Sequence, residues 1–370
     1  PANTPPQSHF HSLVVTRMGV IRVCVYNIRP YPEKGILAEG VDFMQGTVMS
    51  GMRPTGKLHI GHLSVLQNWV RLQETYRCFF AIVDWHALTT SFDETEIIQE
   101  NIRDMFLDWL SVGLDPAKSA VFVQSHVKEH AELHLLLSMV TPVSWLERCP
   151  TYKEQIQELG KEGKDISTYG FLGYPLLMAA DILVYKADTV PVGKDQLPHL
   201  ELCREVARRF NYLFNVSLFP EPQALLSKVP VIPGIDGRKM SKSYNNYISL
   251  TDSTEEIQDK TRMMITDPAR IKKTDPGHPE VCTVFVYHGM FNQEETDDVE
   301  IRCRRGEIGC VACKARLAQR LDQLLQPIRD KRNELMNHPG QIHDMLKEGA
   351  EKARQVASRT LEEVREAMRI

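Results

Sequence analysis

From Thr47 onward, short apolar runs alternate with longer amphipathic stretches. The runs are TVMS (47–50), CFFAIVDW (78–85), AVFVQ (120–124), TVPVG (189–193) and VPVI (229–232). They are rich in the β-branched and aromatic residues that strands favour. Between them, ETEIIQENIRDMFLDWL (94–110) and HAELHLLLSMV (130–140) repeat apolar residues at helical spacing. Strands alternating with helices predict an α/β fold with a Rossmann-like, doubly wound and mostly parallel sheet. Beyond about residue 250 the β-type runs thin out and long charged helical patterns take over. The pattern therefore predicts an α/β domain over 44–250 and a mainly helical domain over 251–370.

The first 43 residues differ. No Asp or Glu occurs before Glu33, while Arg17, Arg22 and Arg29 stand among several Pro, Ser and His. The segment reads as a poorly ordered extension or a start placed too early, with Met18, Met44 and Met49 as alternative starts. A transit peptide is the competing reading.

At 370 residues, 42% hydrophobic and 25% charged, the chain has the composition of a globular protein with a sizeable core. No run approaches the ~18 apolar residues of a membrane span. A formal charge of −4 leaves nucleic-acid contact to a local basic patch. Eight cysteines in a chain this long suggest a reducing, cytoplasmic setting and a metal site rather than a disulfide scaffold.

The candidate chemistry sits where a strand hands over to a helix. After TVMS comes RPTGKLHIGH (53–62), then the helical pattern LSVLQNWVRLQ (63–73). Gly56 suits a tight turn, Gly61 allows close backbone approach, and the helix N-terminus is a natural anion site. His59 and His62, three apart, would share the first turn and donate to phosphate oxygens. A second stretch, DGRKMSKSYNN (236–246), reads as a loop carrying Lys239, Lys242, Ser241 and Ser243, suited to clamping a polyphosphate. In GYPLLMAADILVYKAD (173–188), Tyr174, Met178 and Asp181 fall on one helix face. An acid in so apolar a run needs a partner. Either it caps a neighbouring element or meets an Arg, or it is the acceptor at the end of a flat apolar slot for an aromatic ring bearing one N–H or O–H.

HIGH at 59–62 and KMSKS at 239–243 together resemble the two signature motifs of class I aminoacyl-tRNA synthetases. The segments SGMRPTGKLHIGHL, VDWHALTT, GYPLLMAADIL, VPVGKDQ and DGRKMSKS sharpen this to the tryptophanyl-tRNA synthetase family, over nearly the whole chain from about Met49. The resemblance implies ATP-dependent activation of L-tryptophan, with Mg²⁺ on the triphosphate, and transfer to tRNA(Trp) by a homodimer. It implies that His59, His62, Lys239 and Lys242 are catalytic. It places Arg53, Pro54, Thr55, Gly61, His62, Gly193, Lys194, Asp195, Val229, Lys239, Met240, Ser241, Lys242 and Ser243 at ATP. It places Gly51, His86, Tyr174, Met178, Asp181, Val190, Val192 and Gln196 at tryptophan, with Asp181 accepting the indole N–H. Lys194 departs from the acidic residue expected between Gly193 and Asp195.

Cys282, Cys303, Cys310 and Cys313 are spaced C-x20-C-x6-C-x2-C. Spacing alone leaves zinc and an iron–sulfur cluster open. The resemblance to a bacterial subset of the family ranks [4Fe–4S] first and Zn²⁺ second. Arg302, Arg304, Arg305, Lys314, Arg316 and Arg320 surround the site as a candidate tRNA surface, with acids just upstream as the counter-reading. The alternatives are a tyrosyl-tRNA synthetase, a small-molecule nucleotidyltransferase, and a cluster-bearing nucleic-acid-binding protein on a relic catalytic domain.

Overall fold

A computed structural model describes residues 44–150, 152–153, 156, 165–226, 232–242 and 244–370. The expectations for residues 1–43, for Val229 and for Ser243 lie outside the described residues. Phe43–Ile370 form one compact unit.

Five strands make one parallel sheet in the order β3-β2-β1-β4-β5. They are β1 (Thr47–Met52), β2 (Arg77–Ile82), β3 (Ser119–Val123), β4 (Thr189–Val192) and β5 (Gln223–Leu226). Four of the expected strands are present. The fifth is QALL rather than VPVI: Ile232 belongs to no strand, and 229–231 lie outside the described residues. QALL carries no β-branched or aromatic residue, so propensity gave no sign of it. Pairing of Val190 with Ala224 and Val192 with Leu226 holds it in place.

Register puts alternate side chains on opposite faces. Val48, Cys78, Phe80, Ile82, Val121 and Val123 join one hydrophobic cluster, and Met49, Phe79, Ala81, Ala120 and Phe122 the other. The first face is covered by α1 (Ile60–Leu72) and α3 (Ile98–Val112), and α2 (Asp84–Ser91) follows β2. The second carries α4 (Glu129–Ser138), α6 (Tyr169–Leu183) and α7 (Leu197–Phe214), with the short α5 (Val143–Glu147) between α4 and α6. α6 starts earlier than the apolar pattern suggests, because Thr168 caps it by accepting from the Phe171 N–H at 3.1 Å. It also stops earlier, and Lys186, at φ 49°, turns the chain into β4.

The remaining helices are α8 (Thr254–Met263), α9 (Thr283–Phe291), α10 (Gln293–Arg304), α11 (Cys310–Met336) and α12 (Pro339–Met368). Helices α8 to α11 extend the first cluster through Ile257, Tyr287, Val299, Leu317, Leu321 and Leu325. α12 starts in the first cluster with Ile342, then joins the second face and lies along the edge strand β3, giving that edge cover. Small residues allow the approach: Gly349, Ala350, Ala353 and Ala357 are buried, and a Cβ on Gly349 would run into the Val121 backbone. Gly349→Ala should therefore destabilise the protein by about 1–3 kcal/mol, the usual cost of overpacking, seen as a lower midpoint in urea unfolding. An unchanged midpoint would mean that α12 can move off β3 at no cost.

Candidate active site

The strand order reverses between β1 and β4, where the chain leaves β1 for β2 on one side and reaches β4 on the other. The crevice outside the carboxyl ends there is the usual ligand position on an open parallel sheet. Arg53, Pro54 and Thr55 follow β1 directly, and Gly56 takes φ +95°, a backbone conformation that favours glycine. His59 then caps α1. The Gly61 N–H donates to His59 Nδ1 at 3.1 Å, and the His59 N–H donates to His62 Nδ1 at 3.1 Å. Two imidazoles thus form the reciprocal capping box that Ser and Glu usually supply.

This arrangement settles the tautomers. Each Nδ1 accepts, so each neutral ring carries its proton on Nε2 and can donate only from there. Both rings stay neutral: His59 is pushed down to about 3 and His62 to about 4, by burial first and then by neighbouring charge, including the Lys242 ammonium.

The KMSKS loop lies against this turn. Lys242 Nζ donates to the carbonyls of Thr55 at 3.0 Å and Gly56 at 2.9 Å. A Cβ on Gly61 would come 3.7 Å from the Met240 sulfur, so Met240 covers the helix start. Burial, with Arg53 adding to it, lowers Lys242 to about 8, against a raising effect from Asp108. Lys239 is exposed. Asn246, which the sequence did not single out beyond a turn signal, organises the loop. Its Oδ1 accepts the Ser241 N–H at 2.8 Å, and its Nδ2 donates to Asp236 at 2.8 Å and the Lys239 carbonyl at 3.2 Å. A buried amide with both ends used was invisible in the repeat Asn245-Asn246.

At the end of β4, Gly193 and Lys194 are exposed, and Asp195 Oδ1 folds back over Gly193, 2.5 Å from where a Cβ would be. Gln196 Nε2 donates to Asp195 at 2.7 Å, and Gln196 Oε1 meets His199 Nδ1 at 3.0 Å. His199 Nε2 meets the Tyr174 hydroxyl at 2.7 Å. His199 was missed, and it joins three expected residues into one chain. Val190, Val192 and Met178 belong to the second-face cluster. Gly51, at the end of β1, has no room for a side chain, since Val83 would be 2.8 Å away.

Asp181 is where the structure departs most from expectation. It does not wait at the end of a slot with an open acceptor. His86 Nε2 donates to Oδ2 at 3.0 Å, His130 Nδ1 to Oδ1 at 2.7 Å, and Gln124 Nε2 to both oxygens at 2.8 Å. Tyr185 completes the group at 2.6 Å from His130 Nε2, and the Trp85 N–H fixes the Gln124 amide at 3.2 Å. Burial raises the Asp181 carboxyl, but the bonds from His130 and His86 outweigh it and hold the group well below the usual carboxylate range. His130 and Gln124 are both fully buried. His130 shares its helix face with Leu133 and Leu137, and a histidine on an apolar face was the one available signal. A cavity of about 410 Å³ lined by Trp85, Leu88, Phe92, His134, Gly173 and Leu177 contains none of the expected site residues. Chemistry, not cavity size, locates the site.

The metal expectation has no ready cage behind it. Among the described residues no group of three or more His, Cys, Asp or Glu is placed to hold a metal ion. The four cysteines are nonetheless neighbours. Burial raises Cys313 to about 12, with Cys282, Cys303 and Cys310 adding to the effect. Arg270 Nη1 lies 3.7 Å from Cys303 Sγ and 3.9 Å from Cys310 Sγ, and His288 Nε2 lies 3.5 Å from Cys313 Sγ. The surrounding basic residues are largely engaged. Arg304 pairs with Glu300 at 2.8 Å and Arg316 with Asp298 at 3.2 Å, while Arg320 and Lys314 donate to backbone carbonyls.

Residues 44–326 match the family model of class I tRNA synthetases for tryptophan and tyrosine. The tryptophan–tRNA ligase of Thermotoga maritima is 53% identical over 327 residues, covering 87% of this chain and 99% of that protein. That of Aquifex aeolicus is 45% identical and covers the same shares. A crystal structure of tryptophanyl-tRNA synthetase from Campylobacter jejuni, complexed with ADP and tryptophan, superposes with a TM-score of 0.80 at 34% identity, over 88% of this chain and 100% of that one. With two signature loops in contact at the switch point of a parallel sheet, and relatives this similar over their full length, the chain belongs to the tryptophanyl-tRNA synthetases of class I.

Proposed function

We propose that the HIGH turn, the KMSKS loop and the carboxyl end of β4 form the site where tryptophan and ATP become tryptophanyl-adenylate. Ligation of tryptophan to tRNA(Trp) is the activity of the family. The observation that carries the residue assignment is Lys242 bonded to the carbonyls of Thr55 and Gly56, residues about 186 positions away in sequence.

In the first step a tryptophan carboxylate oxygen attacks the α-phosphorus and the bond to the bridging oxygen breaks, releasing pyrophosphate. His59 and His62, neutral and donating through Nε2, bind phosphate oxygens whose charge grows in the transition state. Lys242 and Lys239 hold the leaving pyrophosphate, and Mg²⁺ arriving with ATP neutralises the triphosphate. Arg53, Pro54, Thr55, Gly61, Gly193, Lys194, Asp195, Met240 and Ser241 border the nucleotide, with Val229 and Ser243 assigned to the same role. In the second step the 2′-hydroxyl of the terminal tRNA ribose attacks the acyl carbon, and AMP leaves. Catalysis here is positioning and electrostatics.

For tryptophan, Met178, Val190 and Val192 supply the apolar walls, with Gly51, Tyr174 and Gln196 at the polar end. A carboxylate offers about four lone-pair sites, and the partners of Asp181 already use them. His86, at 8% exposure, is the partner nearest the surface, so the indole N–H takes the place of its N–H on Oδ2. Gln124 and His130 hold the carboxylate charged and oriented meanwhile. A ligand that displaces His86 without bringing a donor of its own leaves Oδ2 unmatched, and that penalty rejects it without an editing domain.

Residues 251–370 are assigned to tRNA recognition, in a cytoplasmic homodimer. Among the described residues no helix is long and apolar enough to cross a membrane. Four neighbouring thiols are the right donor set for a [4Fe–4S] cluster, or for Zn²⁺, held by Cys282, Cys303, Cys310 and Cys313. Such a group would act as a crosslink between the approach to α9 and the start of α11.

Three measurements test this reading. ATP–pyrophosphate exchange should proceed with tryptophan and not tyrosine, and Asp181→Asn should lower kcat/KM for tryptophan by about 100-fold or more; exchange with tyrosine alone would overturn the pocket. The exchange kcat/KM for ATP should fall as pH rises through about 8, where free-enzyme Lys242 loses its proton. Lys242→Arg should remove that alkaline fall, and a fall that survives it would assign the titration elsewhere. Protein purified anaerobically should carry iron and sulfide that Cys303→Ser loses; equimolar zinc instead would select the second metal, and neither would dismiss the site.

A further inference from the structure

The HIGH turn is held from below by groups outside the two signature motifs. Leu58, the residue before His59, has both backbone groups engaged. Its carbonyl accepts the Leu250 N–H at 3.0 Å and the Ser249 hydroxyl at 3.2 Å. Its N–H faces the carboxylate of Asp108 on α3 and helps to lower it. Asp108 is 2% exposed, too buried to keep a charge without a cation. Arg332, near the end of α11, supplies one. Its Nη1 donates to Asp108 Oδ1 at 2.5 Å and its Nη2 to Asp104 Oδ1 at 2.6 Å.

One turn earlier on the same helix, Arg329 Nη1 donates to the Asp252 carbonyl at 3.0 Å, and Asp252 Oδ2 accepts the Ser249 N–H at 2.8 Å. Two arginines on successive turns of α11 therefore reach both sides of Leu58. The same helix begins at Cys310, and Cys313 lies about 28 Å away along its axis at 1.5 Å per residue.

We propose that Arg332 and Asp108 are positioning residues for the phosphate-binding turn, through which α11 fixes the two catalytic histidines. The inference rests on the assignment of His59 and His62 given above. Without Arg332, Asp108 faces Asp104 on its own helix and Lys242 from the KMSKS loop. Burial already lifts its carboxyl to about 6 with Arg332 present, so loss of the guanidinium favours the neutral acid and weakens its grip on the Leu58 N–H. The histidines do not touch Arg332. They would shift with the turn, and small misplacements of that kind cost about 100-fold in rate.

The test is tryptophan-dependent ATP–pyrophosphate exchange by R332Q, R332K, H62A and the R332Q/H62A double variant, with thermal unfolding recorded for each. R332Q should lower kcat by about 10- to 100-fold with KM for tryptophan nearly unchanged, and R332K, which keeps the charge, should recover part of the loss. The double variant should lose less than the product of the two single losses, because one of the two misplaced histidines is then absent. Arg365→Gln, which breaks an ion pair of α12 with Glu132 far from the turn, should leave kcat unchanged. Full kcat in folded R332Q, or losses that multiply in the double variant, would overturn the inference while leaving the active-site assignment intact. Full kcat in H62A would overturn that assignment, and this inference with it.

Discussion

β1 is hydrogen-bonded on both sides, to β2 through six paired residues and to β4 through Val48 and Thr189. That double pairing decides where the chemistry lies. Parallel strands present their carboxyl ends on one side, and the crossovers after β1 leave in one direction while β4 arrives from the other. A crevice is left between them that no connection covers. The HIGH turn leaves from one wall and the Gly193–Gln196 turn from the other. Had β4 paired beyond β3, the same motifs would have been carried to separate ends of the sheet.

Within that crevice, buried polar groups are satisfied by one another rather than by solvent. His59 and His62 spend their Nδ1 atoms on backbone N–H groups, which leaves Nε2 of each as the donor. Asp181 is charged in a buried helix because three side chains donate to it. Each network costs desolvation and returns orientation, and half-satisfied versions would be worse than an apolar core. The orientation of the Asp181 carboxylate thus depends on His130 and Gln124, which stand behind it.

The C-terminal helices are part of the same construction. α11 shares the first-face core and bonds to Asp252 through Arg329 and to Asp108 on α3 through Arg332, while α12 crosses to the second face and covers β3. A boundary near residue 250 follows composition, since strands cease there. The hydrophobic cluster continues across it, because α8 to α11 pack on one another and, through α11, on α3, which covers that sheet face.

Much was readable beforehand because it is local. Strand and helix identity follow from the period of apolar residues, and the Gly56 turn and the HIGH and KMSKS letters depend on neighbours in sequence. Four strands out of five carried β-branched or aromatic residues, and QALL did not, so only the ladder with β4 made it a strand. Asp181 could be marked as anomalous from its apolar surroundings, but not its partners, which come from positions 86, 124 and 130. The four cysteines could be grouped by spacing, yet their distances to Arg270 and His288 depend on how α9 to α11 pack. The sequence by itself determined which elements form and which side chains are chemically out of place. Tertiary structure decided who satisfies them, since a buried donor and acceptor meet only after the chain between them has folded.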